Sequence, residues 1–249
     1  MAALSKFQYP AVFLLETIGD QLWGFKPNLM AEFVVQQGPR RALVWFAKNM
    51  PKYERILDEW GPIRTHLVTT VISTLNGCPY CTAGHAYALE LHYLKKVDRL
   101  FPLSEAEIFQ LHGLIDAELL SEFEAVLAQA GLNQEIFLLQ RLVELRQDVS
   151  LAVTKRDHQL CQLIAMFQAL NFCGISGEVK SDQAHDPINK DRAIRDRYAA
   201  LRRSQLIARS QSQSQSQSQS QPQSQLQISQ PVGADIAFGN TVLSPEDYL

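Results

Sequence analysis

The chain has 249 residues, 46% hydrophobic and 20% charged, with a formal net charge of -3 and a pI near 6.1. That composition is ordinary for a globular protein, and the length is enough to bury a core without disulfide staples. The acidic balance argues against a general nucleic-acid binder, and the absence of any run of 18 apolar residues argues against a transmembrane helix.

Near the N-terminus, the apolar run at residues 11–15 is too short for a signal-peptide core and is followed directly by Glu16, which places the protein in the cytoplasm. Helix signals dominate from Pro10 to about Leu206. Leu67, Val68, Val71, Ile72 and Leu75 share one helical face, although the β-branched residues between them offer a strand as the rival. Asn76-Gly77 then ends that helix, and Ser104 with Glu107 forms a capping-box signature. Gly113 and Gly131-Leu132-Asn133 punctuate the helices that follow. Leu160, Leu163, Ile164, Phe167 and Leu170 make a further helical stripe. A last helix, residues 191–209, carries Arg192, Arg195, Arg197, Arg202, Arg203 and Arg209, read as a solvated face. No alternation of strands and helices appears, so the predicted class is all-α.

Residues 210–225 are almost pure alternating Ser and Gln, which buries no apolar surface and is expected to be disordered. The predicted organisation is a helical domain over residues 1–209, a linker over 210–231 and a terminal peptide over 232–249. That peptide regains apolar residues (Ile236, Phe238, Val242, Leu243) and reads either as an unstructured end or as a tethered docking segment.

The chemistry concentrates in Cys78-Pro79-Tyr80-Cys81 and His85. Cys78 falls near an N-cap, Pro79 at the first helical position, and Cys81 in the first turn, where free N–H groups and the helix dipole favour a thiolate. Cysteines three apart and a histidine four further on project from one helical face. Together they supply a nucleophile, a resolving thiol and a base. The rival readings are a glutaredoxin string, for which no βαβ unit is visible, and a zinc site. Zinc would need a fourth ligand from Cys161, Cys173, His66 or His92, none of which forms a second CxxC or HxxxH pair, so the site is taken as metal-free. Cys161 and Cys173 read as buried structural residues.

The run Leu75-Asn76-Gly77-Cys78-Pro79-Tyr80-Cys81 with His85 resembles the core of the AhpD-like and carboxymuconolactone decarboxylase-like superfamily, and residues 157–173 are similar to a later helix of its peroxidase-related members. The resemblance implies an AhpD-like helical bundle that assembles into homotrimers or hexamers. It implies reduction of a small-molecule hydroperoxide by a disulfide cycle that uses an external dithiol or reductase protein and no bound cofactor. Carried over, Cys81 is the attacking thiolate, Cys78 the resolving thiol, and His85 part of a proton relay. The family places a glutamate twelve residues before the first cysteine; here that position is His66, which relays protons in its place or simply caps the helix. The alternative is a non-catalytic oligomeric protein in which the disulfide senses redox state and the terminal peptide docks.

Overall fold

A computed structural model describes residues 5–219, with side chains over 5–211. Linker residues 220–231 and the terminal peptide 232–249 lie outside the described residues. Within them the fold is all-α, as expected: ten α-helices and no strand. The helices are α1 (Tyr9–Trp23), α2 (Leu29–Gln37), α3 (Pro39–Trp60), α4 (Pro62–Leu75), α5 (Pro79–Val97), α6 (Glu105–Phe109), α7 (Asp116–Ala130), α8 (Glu135–Gln147), α9 (Lys155–Ser176) and α10 (Arg192–Gln219). Among the described residues, no helix is long and apolar enough to cross a membrane.

The α4–α5 hairpin runs through the middle of the unit that ends at Gln205. Every residue of α4 from 65 to 74 is buried, so the helix is hidden on all sides rather than amphipathic. Its β-branched run is helical, and three of its four threonine hydroxyls bond to backbone carbonyls one turn back. Thr65, Thr69 and Thr74 donate to the carbonyls of Gly61, Thr65 and Thr70 at 3.0, 3.0 and 2.9 Å. Pro62 starts α4 at a position where its missing N–H leaves no bond unmade. Around the hairpin, α2, α8 and α9 close one core with Phe33, Leu139, Leu163 and Phe167. Ser104 and Glu107 form the expected capping box, and α9 opens with a second one from Thr154 and Asp157.

The final helix departs from the sequence reading at one arginine. Arg192, Arg197, Arg203 and Arg209 are exposed as expected, but Arg202 is buried. Its Nε donates to Glu90 at 3.0 Å, its Nη2 also donates to Glu90, and the same nitrogen reaches the Phe101 carbonyl at 3.0 Å. Glu90 is fully buried and also accepts from Tyr198 Oη and from the Glu105 N–H, each at 2.6 Å. Burial pushes the Glu90 carboxyl up to about 7, against the pull of Arg202 and Tyr198. This buried pair ties α10 to α5. The helix also continues past the expected boundary at residue 209, to Gln219. Ser and Gln propagate an established helix far more readily than they nucleate one.

Between α9 and α10 the chain crosses the bundle without regular helix until a short 3-10 turn at Pro187–Lys190. This connection carries Asp182, His185 and Asp186, all three largely buried, and brings them onto α5.

Candidate functional site

Gly77, in a left-handed conformation with φ 70°, closes the turn between α4 and α5. Cys78 follows as the extended N-cap of α5, with Pro79 at the first helical position and Cys81 in the first turn. All four cysteines are free thiols. Both Cys78 and Cys81 are buried, at 0% and 2% exposure, so anything that reacts with them must enter the fold. Cys78 Sγ lies against α9 at Gly174, where an added Cβ would come within 2.8 Å of the sulfur. Cys173 is buried as expected, whereas Cys161 is only half-buried.

The two thiols are electrostatically unequal. The Cys81 thiol donates to Cys78, and the backbone N–H groups of Cys81 and Tyr80 point the same way, which lowers the Cys78 thiol from its ordinary value. Burial, and then the bond to Cys78, push the Cys81 thiol well up. Of the two thiols, Cys78 is therefore the more readily ionised.

Cys81 and His85 line a cavity of about 40 Å³ together with Tyr53, Tyr80, Phe167 and His185. The volume holds one or two water-sized groups. Tyr53 Oη is buried and has no hydrogen-bond partner among the described residues. Trp23, Met30, Phe46 and Met50 are shared with an adjoining apolar cleft of about 410 Å³ between α1 and α3.

His66 on α4 and His85 on α5 meet through their Nδ1 atoms at 3.0 Å. His66 Nε2 reaches Asp186 Oδ2 at 2.9 Å, and His92 Nε2 reaches Asp186 Oδ1 at 2.8 Å. Burial pushes Asp186 up, but the hydrogen bonds from His66 and His92 outweigh it and hold the carboxyl well below the usual range. An ionised Asp186 accepts the His66 Nε2 proton, which leaves His66 Nδ1 as acceptor for the His85 Nδ1 proton. His85 Nε2 is then the free acceptor of the ring. Burial lowers both His66 and His85, so both are neutral at pH 7; neighbouring His66 and His185 depress His85 further, while Asp186 partly offsets the burial of His66. Of the four residues singled out by sequence, Cys81 and His85 share the cavity, Cys78 is hydrogen-bonded to Cys81, and His66 is hydrogen-bonded to His85.

Sequence reasoning missed the carboxylates and the fourth histidine of this region, His185. His185 donates through Nε2 to Asp182 Oδ1 at 2.9 Å, and Asp182 Oδ2 accepts from Tyr80 Oη at 2.9 Å. The His185 ring packs over Tyr80 and Trp23 and meets His85 edge-on, with centroids 5.3 Å apart. The available signal was the pair His185-Asp186 in a polar segment, with a glycine, Gly84, at a mid-helix position of α5. The atoms best placed to hold a metal are on His66, His92 and Asp186, whose donors lie within 4.8 Å of one another.

The chain matches no family model, no curated protein and no solved structure. The functional reading therefore rests on the site itself.

Proposed function

We propose that the protein is a thiol-dependent peroxidase of the AhpD-like kind, with Cys81 as the attacking residue. The observation that carries this reading is that Cys81 shares its cavity with His85, and that His85 is fixed by His66 and, through it, by Asp186. His85 Nε2 takes the Cys81 proton, and Asp186 favours the positive charge that the histidine pair acquires. The Cys81 thiolate attacks the outer oxygen of a hydroperoxide. The O–O bond breaks, Cys81 becomes a sulfenic acid, and the alkoxide leaves with the proton held by His85. Tyr53 Oη, unpartnered in the cavity wall, donates to the departing oxygen.

The lowered Cys78 thiol suits the second step. Its thiolate attacks the Cys81 sulfenic sulfur, closing the disulfide and expelling hydroxide, which is protonated to water. An external dithiol then returns both cysteines to thiols and is itself oxidised to a disulfide. A reducing cytoplasm supplies that reductant, and we place the protein there. Exposed Tyr9, Phe13, Ile18 and Leu22 on α1 support association of the chain with copies of itself. The test is steady-state consumption of an organic hydroperoxide with dithiothreitol: Cys81→Ser abolishes turnover, and retained turnover in the pure variant overturns the assignment.

The burial of both sulfurs favours a second reading, a redox sensor that closes Cys78–Cys81 without turnover. In that case a stoichiometric dose of peroxide removes two thiols per chain, yet excess dithiol sustains no consumption.

A further inference from the structure

Asp186 poses a problem that the thiol chemistry does not resolve. Its side chain is only 4% exposed, and among the described residues no Lys or Arg is ion-paired with it. Its donors are His66, His92 and the Ile188 N–H, the last at 2.7 Å. A buried carboxylate is normally paired with a cation or bound to a metal, because neutral donors alone offset little of the lost hydration. Here two imidazoles stand where the cation would be, with their rings stacked at 5.7 Å and 15°.

We propose that His66, His92 and Asp186 form a binding site for a divalent transition-metal ion of the Zn²⁺, Co²⁺ or Fe²⁺ type. Two imidazole nitrogens and one carboxylate oxygen select such ions over Mg²⁺ and Ca²⁺, which prefer all-oxygen surroundings. Bonds of about 2.0–2.2 Å set neighbouring donors roughly 3.3 Å apart. His66 Nε2 meets Asp186 Oδ2 and His92 Nε2 meets Oδ1, at 2.9 and 2.8 Å, and one donor atom from each residue already lies within 4.8 Å of the others, so a common ion needs these separations to change by no more than about 1.5 Å. With His66 Nε2 on the metal, the ring proton moves to Nδ1 and is donated to His85 Nδ1 at 3.0 Å, and the His85 proton shifts to its Nε2. That outward hydrogen bond is what fixes the tautomer of a ligating histidine. Entry is through His92, whose side chain is 19% exposed and lines an open cleft with Trp60, Arg64 and Glu135. Three protein ligands leave the remaining coordination position to water.

Metal binding needs no turnover at Cys81, although the metal-bound tautomer takes His85 Nε2 out of use as the Cys81 base; Cys78, Cys81 and His85 are a rival set of ligands, and the test separates the two. The full-length protein, stripped with a chelator, is titrated with Co²⁺ and then competed with Zn²⁺, following the visible cobalt bands and the near-ultraviolet thiolate bands. The expected result is one ion per chain with no thiolate band, and full retention in the Cys78→Ser/Cys81→Ser protein. His92→Ala and Asp186→Asn each weaken binding at least about tenfold, as expected for loss of a ligand. The partly exposed His92 keeps the test valid if the Asp186 variant fails to fold. Absence of stoichiometric binding, loss of binding in the double cysteine variant, or unchanged affinity in His92→Ala overturns the proposal.

Discussion

Gly84 and His185 occupy each other's space: a Cβ built on Gly84 would lie 2.3 Å from Cε1 of the His185 ring. The backbone agrees with the side chain, since the His185 N–H donates to the Gly84 carbonyl at 3.2 Å. A glycine inside α5 would otherwise only weaken the helix. Here it allows the connection after α9 to approach closely enough to bring His185 and Asp186 to the histidines of α4 and α5. Gly84→Ala should therefore displace His185 and destabilise the protein by about 1–3 kcal/mol, the usual range for overpacking. Most of that loss should disappear when His185 is also replaced by Ala. Urea denaturation of the two single variants and the double variant checks this, and additive effects would contradict the fitted pair.

Tyr53 gives a cleaner separation of activity from stability. Its buried hydroxyl has no partner among the described residues, so Tyr53→Phe removes a polar group that none of them satisfies. Stability should stay the same or rise slightly. Peroxide turnover should fall about tenfold or more, as on loss of one donor to a developing oxyanion. Unchanged turnover would remove Tyr53 from the mechanism.

The Glu90–Arg202 pair should behave as a buried ion pair whose halves cannot be lost singly. Arg202→Met leaves the Glu90 carboxyl buried without its cation and should cost about 3–5 kcal/mol. Adding Glu90→Gln should recover part of that loss. Urea unfolding of the two single variants and the double variant measures the coupling, and simple additivity would show that the pair does not hold α10 in place.

Neutral burial of His66 and His85 has a pH consequence. Burial holds both below the ordinary histidine value near 6.5 in the folded chain. Between the folded and unfolded values the unfolded chain binds more protons, so stability rises with pH across that window. The contribution is complete above about pH 6.5 and is lost on acidification, by up to roughly 1 kcal/mol per pH unit for each histidine. Asp186, whose value is depressed, adds its own loss only below about pH 4. Glu90, raised to about 7, acts in the opposite sense over the same window, so the histidine contribution is read as a difference between proteins. In metal-free buffer the wild-type denaturation midpoint, relative to that of His85→Gln, should hold level above about pH 6.5 and fall between about 6.5 and 5. A pH-independent difference between the two proteins would mean that His85 is not held neutral.

Much of the fold was legible because the signals were local. The stripe on α9, the Ser104 capping box and the Cys78-Pro79 start of α5 follow from spacing within one or two helical turns. The thiol half of the site was legible for the same reason. Asp186 was not: it lies 120 residues from His66 in an irregular connection, and no periodicity reports such a contact. Arg202 was misread because helical spacing shows which residues share a face but not whether another helix covers it. Whether the β-branched run of α4 forms helix or strand is not revealed by composition, and its hydroxyl-to-carbonyl bonds are seen only in the structure.

The central claim is tested most directly by the fate of the thiols after one equivalent of organic hydroperoxide. Wild-type protein should lose two thiols per chain and yield a Cys78–Cys81 disulfide by peptide mapping. Cys78→Ser should instead accumulate a trappable sulfenic acid on Cys81. A sulfenic acid on Cys78 in the Cys81→Ser protein, or no thiol loss in the wild type, would contradict the account.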